Sequence, residues 1–100
     1  MFPAERIFES RMLVEEVIYI KNKLGIHARP AALLVREASK YTSKIEFEVD
    51  GTRVNGKSIM GVMMLAAAHG SRMIVIASGD DAEAAVRGIR ALIEGRFDEE

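Results

Sequence analysis

The 100-residue chain contains no cysteine and no tryptophan, and only two of its residues are proline. The absence of cysteine excludes disulfides and thiol chemistry, although it does not identify a cellular compartment. Two histidines without cysteine are a poor supply for a structural zinc site, and we expect neither a bound metal nor a cofactor. No apolar run approaches the roughly 20 residues of a membrane-spanning helix, so we expect no membrane insertion.

Neither sign of charge dominates, because 14 basic residues stand against 15 acidic ones and the formal net charge is −1. Such a chain has no overall attraction to nucleic acid or to anionic membranes, and we expect no nucleic-acid partner. Residues 1–12 lack the long apolar region of a secretory signal, so we expect a cytoplasmic protein. The length predicts one domain, residues 13–100, preceded by an N-terminal arm of uncertain structure, residues 1–12.

The hydropathy pattern predicts seven elements in the order strand, helix, strand, strand, helix, strand, helix. Apolar and charged residues alternate most regularly in the second strand, and Asp50-Gly51 after it predicts a tight hairpin turn. The order predicts an α+β domain, in which a mainly antiparallel four-stranded sheet carries helices on one face. The predicted strands span residues 13–21, 44–49, 52–54 and 73–77, and the predicted helices begin near 28, 59 and 81.

Residues 25–32 combine a tight loop with the first turn of a helix. Pro30 suits that turn, where N–H groups have no intrahelical acceptor, so we expect His27 at or just before the helix N-terminus. Free amides and the helix dipole favour an anion there, and the forked Arg29 guanidinium matches phosphate oxygens. Two interpretations are open for His27: a simple cap or surface residue, or a histidine that accepts a phosphoryl group.

A methionine-rich apolar run follows Ser58, which is a favourable N-cap residue for a second helix. The run predicts either ordinary core or a docking patch of adaptable thioethers, and Val62 and Leu65 are its better core candidates. The candidate docking residues are Ile59, Met60 and Met63.

The remaining helix ends are predicted from capping residues. His69-Gly70 is expected to end the second helix, with His69 as a polar C-cap. Asp80 and Glu83 have capping-box spacing and are expected to start the last helix. Gly95 is expected to end that helix, after which residues 96–100 are expected to fray.

Two separated motifs together resemble one known family. Gly25-Ile26-His27-Ala28-Arg29-Pro30-Ala31-Ala32, with Asn55-Gly56-Lys57-Ser58-Ile59-Met60-Gly61-Val62-Met63 further along, resembles HPr. HPr is the histidine-containing phosphocarrier of the bacterial phosphoenolpyruvate-dependent phosphotransferase system. The resemblance covers residues 14–95. It implies an open-faced β-sandwich, in which a four-stranded antiparallel sheet has three helices on one face in the order βαββαβα.

The resemblance also implies roles for single residues. It implies that His27 is phosphorylated on Nδ1 with Arg29 as its partner, while the backbone of Ala28 and Arg29 holds the phosphate. It implies that Ser58 is the regulatory serine that a dedicated kinase phosphorylates in some bacteria. The partner-binding patch that it implies is Ile59, Met60 and Met63.

The resemblance implies that the chain accepts a phosphoryl group on His27 from phospho-enzyme I and donates it to enzyme IIA domains in sugar uptake. It implies a phosphoryl-transfer carrier protein with a phosphohistidine intermediate, rather than a free-standing enzyme. Leu24 stands where many members have a small polar residue. This variant of the loop resembles phosphocarriers of proteobacterial type, including the nitrogen-related paralogue. The alternatives are therefore a nitrogen branch, or regulation through phospho-His27 or phospho-Ser58 with HPr kinase/phosphorylase and a transcriptional regulator. A purely structural domain is a further alternative.

Overall fold

The computed structural model describes residues 12–99, so most of the predicted N-terminal arm lies outside the described residues. The four strands form one antiparallel sheet in the spatial order β1-β4-β2-β3. The predicted element order and fold class are confirmed. The strands are β1 (Leu13–Tyr19), β2 (Lys44–Val49), β3 (Thr52–Asn55) and β4 (Arg72–Ser78), and the helices are α1 (Ala28–Ala38), α2 (Ile59–Met64) and α3 (Ala82–Glu94), followed by a 3₁₀ turn (Arg96–Asp98).

The core lies between one face of the sheet and the helices. In β2 the alternation predicted from the sequence is observed: Phe47 is fully buried, while Lys44 is exposed. Helices α1 and α3 turn apolar stripes toward this face, as amphipathic helices do. The buried helix residues are Pro30, Ala31, Leu34 and Ala38 in α1, and Ala82, Ala85, Val86, Ile89 and Ile93 in α3.

The β2–β3 connection is the predicted tight hairpin. Asp50 and Gly51 both have positive φ, 51° and 84°. Two successive left-handed residues are the signature of a type I′ turn, whose twist matches that of the paired strands. The prediction from Asp50-Gly51 is therefore confirmed.

Helix α2 is shorter than predicted, because it ends at Met64 rather than at His69-Gly70. Ala66 adopts a left-handed φ of 49°, and the chain then turns inward to bury Ala67. The Ala67 carbonyl accepts a hydrogen bond of 2.8 Å from the Ile26 N–H. The prediction that His69 caps α2 is wrong, since His69 lies in the turn that precedes β4.

The N-cap of α3 is Asp81, so the prediction of a capping box starting at Asp80 is wrong. The Asp81 carboxylate caps no helix amide. It accepts hydrogen bonds from the Ser43 hydroxyl and from the N–H groups of Thr42 (2.9 Å) and Ser43 (3.0 Å). These bonds, led by the Ser43 hydroxyl, lower the pKa of Asp81 to about 2. Asp81 thereby ties the start of α3 to the loop before β2.

We expect Asp81→Asn to lower the melting temperature at neutral pH. The lowered pKa means that charged Asp81 stabilises the fold above its ordinary value of 3.8, and that this contribution is lost as the pH falls toward about 2. The difference in melting temperature between variant and wild type should therefore shrink across that interval. Thermal unfolding followed by circular dichroism at several pH values measures it. Asp80→Asn is the exposed control, and a difference that persists unchanged at low pH would contradict the assignment.

Candidate functional site

His27 lies immediately before α1, where the sequence placed it. Its backbone is extended (φ −99°, ψ −167°), and its carbonyl accepts the first helical hydrogen bond, 2.9 Å from the Ala31 N–H. Pro30 occupies the first turn and contributes no N–H group. The N–H groups of Ala28 and Arg29 therefore stand at the helix N-terminus without intrahelical acceptors, in the arrangement that favours a bound anion.

The loop that presents His27 is held by close backbone packing. Gly25 has φ +72°, and a Cβ built at this position would lie 2.5 Å from the carbonyl oxygen of Ala67. Only glycine accommodates both the left-handed conformation and this approach. Ile26 is buried beside it and donates to the same Ala67 carbonyl. The position of His27 is thus set by the backbone on both sides of the loop.

A carboxylate from the other end of the described chain reaches this loop. Glu99 Oε1 lies 3.1 Å from His27 Nε2, and Glu99 Oε2 lies 3.1 Å from Arg29 Nη1. The side-chain amide of Asn22, which is fully buried, donates to Glu99 Oε1 at 2.9 Å and to the Gly25 carbonyl at 2.7 Å. Three polar side chains therefore converge on one carboxylate.

These contacts keep Glu99 ionised. The hydrogen bond from Asn22, followed by that from His27, holds the pKa of Glu99 below its ordinary value of 4.5. A negatively charged group consequently rests against the imidazole and the guanidinium at neutral pH. The site predicted to receive an anion already holds one that belongs to the chain itself.

The 3₁₀ turn Arg96–Asp98 brings Glu99 to the site. All three residues of the turn are left-handed, with φ of 57°, 55° and 58°, which costs each of them about 1–2 kcal/mol. Burial of Phe97, only 1% exposed, and the 2.6 Å hydrogen bond from Arg29 to the Phe97 carbonyl together offset part of this cost. The prediction that residues 96–100 fray is wrong for 96–99, because Phe97 belongs to the core.

The contact with Glu99 has a consequence for the chemistry of His27. Because Nε2 faces a carboxylate, the proton of the neutral imidazole is assigned to Nε2, and Nδ1 keeps its lone pair. No hydrogen bond from residues 12–99 engages Nδ1. The His27 side chain is 39% exposed and that of Arg29 is 51% exposed, so an incoming group can reach both. The arrangement suits a nitrogen nucleophile with a cation two residues away.

Asn22, Phe97 and Glu99 were not singled out in the sequence. Asn22 and Glu99 are 77 residues apart, and the acidic run Asp98-Glu99-Glu100 carries no motif that distinguishes Glu99. Phe97 was the one sequence feature that could have indicated order after the last predicted helix, because it is an isolated aromatic residue there. Because an aromatic ring is worth more buried than exposed, it favours an ordered terminus.

The second motif forms an N-cap followed by an exposed apolar surface. Ser58 Oγ accepts a 3.1 Å hydrogen bond from the Gly61 N–H, which confirms the predicted cap. Val62 and Leu65 are buried, as predicted. The α2 patch, defined as the four exposed apolar side chains of this helix, includes the three predicted docking residues. Its members are Ile59, Met60, Met63 and Met64.

Neither a metal centre nor a membrane span emerges from the described part of the chain. Residues 12–99 bring no three His, Asp or Glu side chains together in a group that could hold a metal ion. No helix among them has the length and apolar character needed to cross a bilayer. The candidate site itself consists of His27, Arg29, Glu99 and the N-terminus of α1.

Comparison with known proteins agrees with this geometry. Residues 14–95 match the sequence profile described as the PTS HPr component phosphorylation site. The phosphocarrier protein HPr of Treponema pallidum (strain Nichols) is 46% identical over 88% of this chain and 100% of that protein. The HPr-like protein Crh of Halalkalibacterium halodurans is 48% identical over 82% of this chain and 98% of its own length. The crystal structure of HPr-C-His from Thermoanaerobacter tengcongensis superposes with a TM-score of 0.84 at 50% identity, covering 87% of this chain and 98% of that one.

Proposed function

Because the chain belongs to the HPr phosphocarrier family of the phosphotransferase system, we propose that it accepts a phosphoryl group from phospho-enzyme I on Nδ1 of His27 and donates it to enzyme IIA domains. The observation that carries this proposal is the Glu99 carboxylate, which touches both His27 and Arg29. An anion is stabilised there, and the same contact leaves Nδ1 available. We propose that the chain acts in the cytoplasm and that the phosphoryl group it carries is used in sugar uptake.

The transfer step needs little beyond position and charge. The Nδ1 lone pair attacks phosphorus in line with the donor, a bond from Nδ1 to phosphorus forms, and the donor keeps the electron pair of the bond that breaks. Positive charge then develops on the imidazole, and Glu99 accepts the Nε2 hydrogen bond and stabilises it. The N–H groups of Ala28 and Arg29 stabilise the phosphoryl oxygens.

One N–H group of Arg29 cannot donate a full hydrogen bond to Glu99 and to the phosphoryl group at the same time. In the described state Arg29 Nη1 donates to both Glu99 and the Phe97 carbonyl. A phosphoryl group carries more negative charge than a carboxylate, so it competes for this donor. We therefore expect Arg29 to exchange Glu99 for phosphate as transfer proceeds. Donation onward reverses the exchange.

Incubation of the protein with phosphoenolpyruvate, magnesium and enzyme I tests the proposal. We expect one acid-labile, base-stable phosphate per chain, and ³¹P NMR of the product should assign it to Nδ1. Transfer to an enzyme IIA domain added next should discharge it. A phosphate on Nε2, or no histidine phosphate, would contradict the proposal. Competition between sugar-type and nitrogen-type enzyme IIA domains separates the sugar branch from the nitrogen alternative.

Arg29→Ala is expected to slow phosphoryl acceptance by about tenfold to a hundredfold. Loss of one donor at a developing charge costs about this much or more, and Arg29 is half exposed, which places the effect at the lower end. The measurement is kcat/KM for phosphorylation by enzyme I. Arg36→Ala removes the same charge from the same helix, away from His27, and should leave the rate unchanged. Equal rates in the two variants would remove the role of Arg29.

A regulatory function through Ser58 is the second candidate. The similarity to Crh of Bacillus subtilis, described as the Catabolite Repression HPr, favours it, and so does the position of Ser58 at the start of α2, directly before the α2 patch. Phosphate on Ser58 would add about two negative charges beside this apolar surface. A helix N-terminus tolerates such charge, so the fold would persist while docking of partners, including a transcriptional regulator, would change.

We expect HPr kinase/phosphorylase with ATP to phosphorylate Ser58 and to leave Ser58→Ala unmodified. Because Ser58 also caps α2, Ser58→Ala should lower the free energy of unfolding by about 1 kcal/mol. Mass spectrometry of the intact protein and urea unfolding measure the two effects. Ser39→Ala, at the far end of α1, is the control for both. Kinase-dependent phosphate that persists in Ser58→Ala would place the modification elsewhere.

A further inference from the structure

A basic cleft lies outside the site described above. It has a volume of about 240 Å³, and four side chains line it: Lys21, Lys23, His69 and Arg96. The proposed phosphocarrier function uses none of these four. Three of them carry a permanent positive charge at neutral pH, which is a strong local concentration in a chain whose formal net charge is −1.

The backbone that carries the cleft residues is held in place by burial and by hydrogen bonding. Lys21 and Lys23 flank Asn22, which is fully buried. Beside His69, the Gly70 N–H donates to the Ile20 carbonyl at 2.8 Å. Fixed attachment points bring the charges together without further ordering of the main chain, so binding costs little backbone entropy.

Arg96 is held in the cleft by strained backbone. Its φ is 57°, and the following residue, Phe97, is anchored in the core. Non-glycine residues in this conformation are uncommon and cluster at functional sites. The left-handed turn thereby fixes the backbone from which Arg96 lines the cleft, which is an observation separate from the charge count.

The cationic groups of the cleft have no acidic partner among residues 12–99. In the described part of the chain, no ion pair joins Lys21, Lys23 or Arg96 to a carboxylate. Arg36 and Arg87 likewise form none there, whereas Arg53 pairs with Glu48. The ionised Glu99 carboxylate lies beside Asn22 but forms no ion pair with these three groups. Positive charges that converge and form no ion pair attract a soluble anion.

We propose that this cleft binds a small phosphate-bearing anion. Its volume is just below the range of about 300–1,000 Å³ typical of drug-sized ligands, which suits inorganic phosphate or a small phosphate ester. Arg96 offers a fork that matches two phosphate oxygens, the lysines offer mobile point charges, and His69 offers a ring nitrogen. The proposal does not depend on phosphoryl transfer at His27.

Titration followed by ¹H–¹⁵N NMR tests the cleft, with inorganic phosphate and phosphoenolpyruvate as separate probes at constant ionic strength. We expect saturable shifts in the amides of residues 21–23, 69–71 and 96. Lys21→Ser combined with Lys23→Ser should weaken the affinity at least about tenfold, the loss expected when charged hydrogen bonds are removed. A tighter dissociation constant for phosphoenolpyruvate would identify an ester as the ligand, and equal constants would identify phosphate alone.

Lys40→Ser combined with Lys44→Ser is the matched control, because it removes the same charge from a region outside the cleft. It should leave the affinity within twofold of wild type, and circular dichroism should show both double variants folded. Three outcomes would overturn the proposal: equal weakening in both double variants, shifts centred on Ala28 and Arg29, or identical shifts with chloride as the only anion.

Discussion

His27→Ala is expected to lose all phosphoryl acceptance from phospho-enzyme I. In the proposed mechanism the variant lacks the nitrogen that forms the covalent intermediate, so phosphoryl acceptance is lost with the nucleophile. The fold should persist, since His27 is 39% exposed and contributes its carbonyl, not its ring, to the start of α1. Acid-labile phosphate per chain, measured against unfolding in urea, separates lost chemistry from lost structure.

His27→Gln sharpens this test because glutamine keeps a hydrogen-bond donor for Glu99 but offers no nucleophilic nitrogen. It too should carry no acid-labile phosphate. Arg36→Ala, purified in the same way, should be phosphorylated to one phosphate per chain. If His27→Gln still gained an acid-labile phosphate, the nucleophile would be another residue and the proposed function would need a different site.

Phe97→Ala is expected to lower the free energy of unfolding by about 3–5 kcal/mol, the usual cost of removing a fully buried aromatic side chain. Small domains have about 5–15 kcal/mol in total, so the variant loses a large share of its stability and melts at a much lower temperature. Urea unfolding measures this loss.

Two further variants make the stability result specific. Met64→Ala removes an apolar side chain that is 72% exposed and should change the free energy of unfolding by less than about 0.5 kcal/mol. Phe97→Leu retains most of the apolar volume and should fall between Met64→Ala and Phe97→Ala. If Phe97→Ala were as stable as Met64→Ala, the turn would not be anchored through Phe97, and the contact of Glu99 with His27 would need another explanation.

Local patterns predicted the parts of this molecule that depend on neighbouring residues. The alternation around Phe47, the turn at Asp50-Gly51 and the placement of His27 ahead of Pro30 each follow from residues within a few positions. The α2 patch was left open between core and surface, because a six-residue helix carries too little periodicity to decide. The structure shows it exposed.

The remaining errors come from contacts between distant parts of the chain. Asn22 and Glu99 are in contact although 77 positions separate them, and no local sequence pattern around either residue predicts this contact. The burial of Ala67 against the loop at Ile26 ended α2 five residues before the expected cap at His69. The carboxylate at the candidate site was missed for the same reason, since tertiary packing, not propensity, orders residues 96–99.

The position of Glu99 also bears on how the protein is handled in the laboratory. A fluorophore or cross-linker attached at Glu99 would lie beside the His27 imidazole, since Glu99 Oε1 is 3.1 Å from His27 Nε2. Such an attachment would crowd the approach of a donor and would change the local charge. Immobilisation and labelling should therefore use another part of the surface, such as the β2–β3 hairpin at Gly51, where an added Cβ would meet nothing within 4 Å.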